Sequence, residues 1–141
     1  MNPEKTGTAL HLLEVLFRAN EKFRKLQSQL LVNSKLTIPQ FGVLEILYRL
    51  GSIHLKRISE LMMVTGANIT CVADNLEKEG LIKRVHSKED RRVVLAELTS
   101  SGKQKIEQIL PAYKENILSA ASKLTEEEQK EVIQLLEKFE L

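Results

Sequence analysis

The side chains best equipped for chemistry lie in two neighbouring stretches. Between positions 81 and 92 the chain gathers Lys83, Arg84, Lys88, Arg91 and Arg92 against only Glu89 and Asp90. A local cation excess of this kind suits a polyanion. Just upstream, residues 65–79 carry Asn68, Thr70 and Asn75, side chains that can hydrogen-bond the edges of bases. Asn can pair bidentately with adenine. Other chemistries find no comparable grouping. His11, His54 and His86 fall on different elements and Cys71 is the single cysteine, so no metal site is expected. There is no G-x-S-x-G elbow and no glycine-rich phosphate loop. Glu126, Glu127 and Glu128 are adjacent rather than facing, and read as favourable charges at a helix N-terminus, not as an acid/base pair. Neither an enzyme nor a cofactor is expected.

The charge is unevenly spread. The net charge is +2, yet from Thr125 onward six glutamates oppose Lys130 and Lys138, a net of −4 that leaves +6 on the first 124 residues. The length of 141 residues suits one domain, 1–141, and 43% apolar with 28% charged residues suits a globular chain with a real core. No apolar run exceeds four residues, whereas a membrane-crossing helix needs about 20. The start, Met1-Asn2-Pro3-Glu4-Lys5, lacks the pattern of a secretory signal. Together with the lone cysteine, this points to the reducing cytoplasm. With two tyrosines, four phenylalanines and no tryptophan, a base-stacking platform for single strands is not expected.

These side chains need elements to position them. Residues 8–32 form a long amphipathic helix, with Ala9, Leu12, Leu16, Ala19, Phe23, Leu26 and Leu30 spaced by three and four. Leu10, Leu13, Phe17 and Leu31 make a second stripe beside the first. One stripe suffices to dock a helix on its own core, so two suggest a second chain. Thr37 and Gln40 form a capping box with Pro39 in the first turn, and Gly51 ends that helix. A compact helix over 55–64 places Ile58, Leu61 and Met62 inward. Thr65 caps the next, which stops at Gly80. Residues 81–85 and 93–98 are rich in β-branched side chains and read as two strands around a polar tip. Thr99 caps a long helix containing Pro111, and Thr125 with Glu128 opens a last one.

Helix, tight turn, helix and a two-stranded hairpin with a basic tip make a winged helix-turn-helix over 37–99, with a recognition helix 65–79 and a wing 81–98. The fold class is mainly α with a small β-hairpin wing, flanked by N- and C-terminal dimerisation helices at 8–32 and 112–141. Such a second helix fits a major groove of about 12 Å, and the basic tip reaches the backbone or the minor groove beside it. At 3.6 residues per turn, Ile69, Val72, Ala73 and Leu76 make the core face. Ala67, Cys71, Asp74 and Lys78 then lie opposite, flanked by Asn68, Thr70 and Asn75.

Three motifs now fall into order. Leu76-Glu77-Lys78-Glu79-Gly80-Leu81, Asp90-Arg91-Arg92 and Leu98-Thr99-Ser100-Ser101-Gly102 resemble the L-E-x-x-G-L, D-x-R and L-T-x-x-G pattern of MarR-type (multiple antibiotic resistance regulator) transcription factors. The resemblance extends over nearly the whole chain. It implies a two-fold homodimer held by the first and last helices, a recognition helix in the major groove, Arg92 in the minor groove, and Asp90 steadying the wing. It also implies a repressor relieved by a small-molecule effector. Where many members carry arginine, this chain has Cys71, which puts that family-typical contact in doubt. The expected DNA-facing residues are therefore Thr65, Ala67, Asn68, Thr70, Cys71, Asn75, Lys88, Arg91 and Arg92, on a pseudo-palindromic duplex. Two other readings compete. One is a redox-responsive regulator in which oxidation of Cys71 adds bulk and charge against phosphates. The other is a winged-helix protein-interaction module, in which Lys88, Arg91 and Arg92 would have no purpose.

Overall fold

Capping chemistry sets most of the helix boundaries. The computed structural model describes residues 1–140, so Leu141, the end of the expected segment 112–141, lies outside the described residues. The elements are α1 (Pro3–Leu31), α2 (Ile38–Leu50), β1 (Ile53–His54), α3 (Leu55–Met62), α4 (Gly66–Lys78), β2 (Ile82–His86), β3 (Val94–Leu98), α5 (Ser100–Ala121) and α6 (Glu126–Glu137), with a closing 3-10 turn at Lys138–Glu140. Thr37 and Gln40 make the reciprocal capping box of α2, and Thr125 and Glu128 that of α6. Thr65 accepts the Asn68 N–H at 3.2 Å to open α4. Helix α1 starts at Pro3, five residues before the expected start at Thr8. The reason is local: the Asn2 side chain accepts the Glu4 N–H at 3.0 Å, and Pro3 takes the first helical position, where its missing N–H costs nothing.

The chain divides into two units, Leu30–Pro111 and, separately, Met1–Gln29 with the chain from Ala112 onward. The first holds every buried residue of the described chain. Its centre is Val43 and Leu44 of α2, Ile58 of α3, Ile69, Ala73 and Leu76 of α4, Ile82 and Ala96 of the sheet, and Ile106 of α5. Helix α4 thus buries Ile69, Ala73 and Leu76 of the face that its period predicts, with Val72 half-buried at its edge. In α3 the expectation for Leu61 fails, since it stands exposed. Met62, one residue on, carries the contact instead: its thioether packs where a Cβ on Gly42 of α2 would sit.

The wing is wider than a hairpin. Strands β2 and β3 pair antiparallel from Ile82↔Leu98 to His86↔Val94, and β1 adds a third strand through Ile53↔Ala96 and His54↔Leu95, in the order β1-β3-β2. Two residues give no readable alternation, so β1 is invisible to sequence pattern.

The other unit is built differently. Among its described residues none is buried, and Leu10, Leu13, Phe17, Leu118, Ile133 and Phe139 are exposed on α1, α5, α6 and the closing turn. A contact of Gln27 Nε2 with the Tyr113 hydroxyl at 3.3 Å ties α1 to α5. The helices of this unit carry apolar stripes that the unit itself does not cover. No helix of the described residues is long and apolar enough to cross a membrane.

Candidate nucleic-acid interface

The turn before α4 is set by Met63, which takes the left-handed conformation (φ 55°, ψ 42°) and closes α3. From Thr65 on, α4 presents Thr65, Ala67, Asn68, Thr70, Cys71 and Asn75 exposed. Their hydrogen-bonding capacity differs. The Thr70 hydroxyl donates to the Gly66 carbonyl at 2.9 Å, which leaves its lone pairs for an outside donor. The side-chain amides of Asn68 and Asn75 make no hydrogen bond among the described residues, so both donors and acceptor stay available. At the far end, Gly80 (φ 72°) lets the chain leave the helix. Gly80 N–H bonds Glu77 O at 3.0 Å and Leu81 N–H bonds Leu76 O at 2.9 Å, the paired closure that needs a left-handed residue.

Asp74 lies on the outward side but turns away from it. Its carboxylate pairs with Arg84 of β2, and Glu77 accepts the Arg84 backbone N–H at 3.1 Å. Two acids one turn apart on α4 therefore hold the first strand of the wing. Sequence reading placed Arg84 in a basic patch and Asp74 among groove-side residues. Their mutual role was missed, although an acid pair at i, i+3 followed by an arginine seven residues on was the available signal.

The wing tip is built by its own polar groups. Ser87 N–H bonds Val93 O at 2.9 Å and Val93 N–H bonds Asp90 O at 3.0 Å. His86 Nδ1 donates to the Arg91 carbonyl at 2.9 Å; a carbonyl only accepts, so this nitrogen carries the proton. Asp90 accepts the Arg92 backbone N–H at 3.0 Å, and its two oxygens take Arg92 Nε and Nη2 at 3.1 Å each. The hydrogen bonds from the Arg92 side chain and then its backbone hold the Asp90 carboxyl below its ordinary pKa. Arg92 is nevertheless 91% exposed. A guanidinium has five donors, so a fork pinned along one edge keeps donors for an outside acceptor.

The ion pairs divide the basic patch. Lys83 pairs with Glu97 across the strands at 3.3 Å. A bond from Ser52 and then that lysine hold the Glu97 carboxyl below its ordinary value. Arg84 is engaged by Asp74. Lys88 and Arg91 form no ion pair among the described residues, and with His86 and Ser87 they line a shallow concavity at the tip. The structure thus brings Asp90, Arg91 and Arg92 onto one tip with Lys88, and places the α4 residues on the same unit as that tip.

A tight helical pair with a sheet-borne wing and an open polar face on its second helix defines a winged helix-turn-helix protein. The family model described as "MarR family" matches residues 36–94. The chain is 33% identical over 140 residues to the HTH-type transcriptional regulator YkoM of Bacillus subtilis (strain 168), covering 97% of this chain and 89% of that one. It is 38% identical over 109 residues to the HTH-type transcriptional repressor MdtR of the same organism, covering 75% and 70%. Among solved structures, Bordetella bronchiseptica BpsR, whose DNA binding is regulated by 6-hydroxynicotinic acid, superimposes with a TM-score of 0.81 at 27% identity over 93% of this chain and 99% of that one. The chain belongs to the MarR family of transcriptional regulators.

The exposed thiol gives a direct check on the orientation of α4. Cys71 will react quickly with a maleimide in the native protein, and duplex carrying the protein's own site will slow that reaction. Labelling that becomes fast only in denaturant would show the thiol buried and the helix turned the other way.

Proposed function

We propose that the protein is a cytoplasmic, non-enzymatic repressor that acts as a homodimer of one 1–141 domain on a pseudo-palindromic duplex and is released by a small-molecule effector. The observation that carries this reading is the pairing of an exposed polar face on α4 with a wing tip whose arginine is pinned yet exposed. In it, Thr65, Ala67, Asn68, Thr70, Cys71 and Asn75 face the major groove, Lys88 and Arg91 meet phosphates, Arg92 enters the minor groove, and Asp90 holds Arg92 in place. Thr70 offers an acceptor, which suits the amino group of adenine or cytosine, and Asn68 offers both partners. The uncovered stripes of α1, α5 and α6 support the dimer; an obligate interface of this type buries more than about 2,000 Å². The effector follows the regulation described for BpsR.

Selection of bound duplexes from a random pool, followed by footprinting, tests the reading. Two half-sites are expected about one helical turn, roughly 34 Å, apart. Asn68→Ala and Thr70→Ala will each relax discrimination by about 1–3 kcal/mol at the base pair they contact, with little change at other positions. No enrichment of any duplex, or unaltered discrimination in both variants, would overturn the docking.

A further inference from the structure

The tip of the wing gathers hydrogen-bonding groups around one concavity, lined by His86, Ser87, Lys88 and Arg91. Neither Lys88 nor Arg91 forms an ion pair among the described residues. The Ser87 oxygen accepts the Glu89 N–H at 3.3 Å, which leaves its proton to give outward. His86 is exposed at the end of β2, and its Nδ1 is committed to the Arg91 carbonyl at 2.9 Å. That bond fixes both the ring and its tautomer. Nε2, on the far edge of the ring, has no partner among the described residues.

A ring held in this way offers two faces to an anion. Neutral, Nε2 is a bare acceptor and repels a phosphate oxygen; protonated, it is a donor with a positive charge. The charged groups around it favour an anion. In the tip, Lys88, Arg91 and Arg92 outnumber Glu89 and Asp90, and Asp90 is spent on Arg92. Two residues back on the same side of β2, Arg84 is matched by Asp74 of α4, and its backbone N–H by Glu77. Across the ladder stands Val94, which carries no charge. Farther along β3, Glu97 is held by Lys83 and feels the charge of Lys88.

We propose that His86 is a proton-dependent ligand of a backbone phosphate: in the complex with duplex its ring is protonated, and Nε2 donates to a phosphate oxygen that Ser87, Lys88 and Arg91 also hold. The assignment rests on the duplex-binding reading and deepens it. The proton comes from solvent, one at each wing, and no covalent bond to carbon or phosphorus changes. Binding takes up a proton, so affinity rises as pH falls and the gain is lost as pH rises. Imidazole is the side chain whose charge changes between about pH 5 and 8, whereas lysine and arginine stay charged there. The concavity is shallow, so a free phosphate ion has little to hold it. A phosphate that the rest of the duplex already positions there meets no such difficulty.

Fluorescence anisotropy with a selected duplex, at fixed ionic strength between about pH 8 and about pH 6, tests it. The unaltered protein will bind on the order of tenfold more tightly at the acid end. His86→Gln, neutral throughout, will keep the weaker affinity across the interval, and His86→Lys, charged throughout, the tighter one. His11→Gln, on α1, will leave the dependence in place. The Asp90 grip on Arg92 does not change over this interval, because the Arg92 bonds hold that carboxyl below its ordinary pKa. Replacing backbone phosphates one at a time by neutral methylphosphonates will remove the dependence at one position in each half-site. Affinity that is flat with pH, or a dependence that survives His86→Gln, would overturn the assignment and leave duplex binding standing. Inorganic phosphate that displaces duplex better than chloride, from the unaltered protein and not from His86→Gln, would give the site to a free anion and overturn it too. A protein that binds no duplex at any pH would overturn the duplex reading itself.

Discussion

Gly102→Ala will destabilise the winged unit by about 2 kcal/mol, although alanine is the better helix former. A Cβ built on Gly102 would stand 1.9 Å from the Leu81 carbonyl oxygen and 2.9 Å from its carbon. Both are backbone atoms, so no rotamer change relieves the overlap. Overpacking of this kind costs about 3 kcal/mol at the upper end, and the gain in helix propensity offsets about 1 kcal/mol. Leu81 O cannot retreat freely, because it accepts the Thr99 N–H at 3.2 Å. The Thr99 hydroxyl in turn donates to Gly80 O at 2.6 Å and accepts the Gly102 N–H at 3.0 Å. Gly80, Leu81, Thr99 and Gly102 therefore form one knot that locks the exit of α4, the entry of β2 and the start of α5. A loss of this size lowers the melting temperature of a small domain by on the order of 10 °C. Gly7→Ala, on α1 with nothing within 4 Å of the added carbon, is the control and will leave melting unchanged or raise it. A Gly102→Ala protein that melts with the unaltered chain would show that the helix start can shift at no cost.

That knot marks the boundary of what sequence alone makes legible. Capping is a local rule, so Thr37 with Gln40, Thr65, and Thr125 with Glu128 could be read directly and stand as caps. The orientation of α4 follows from its period, which buries Ile69, Ala73 and Leu76 and exposes Cys71. Gly80 and Gly102 could be seen as motif letters, but the reason for Gly102 lies in a backbone carbonyl 21 residues away. The same holds for β1, whose Ile53 finds its partner at Ala96. It holds for Asp74, which looks like a poor groove residue until Arg84 arrives from the next strand. Pattern reading sees contacts within one turn or one strand. Contacts that fold closure creates leave no periodic trace.

Arg92→Ala will cause the largest loss of DNA binding of any single wing substitution, and its salt dependence separates it from a structural effect. Two of the Arg92 donors hold Asp90, and the rest of its fork faces outward on a side chain 91% exposed. A hydrogen bond from a charged group is worth about 1.5–3 kcal/mol. A two-fold dimer loses it at both wings, so affinity will fall on the order of a hundredfold or more. Each cation withdrawn from phosphate lowers the slope of log K against log salt by about 0.9, and the slope will flatten by about 2 for the dimer. Removing the guanidinium also leaves Asp90 uncompensated next to phosphates, which adds repulsion. Asp90→Asn separates the two effects: it loosens the fork but keeps every cation, so affinity will drop less and the slope will not flatten. Arg92→Lys keeps the charge but not the two-point grip on Asp90, so it will restore the slope more than the affinity. The Asp90 carboxyl sits below its ordinary pKa, with the Arg92 bonds as the main cause. The grip is therefore complete above the ordinary carboxylate range and is lost only as pH falls through the lowered value, so binding measured at neutral pH reports the pinned state. Titration of a selected duplex by fluorescence anisotropy across a series of salt concentrations decides the matter. An Arg92→Ala protein with an unchanged slope would place the wing outside the interface.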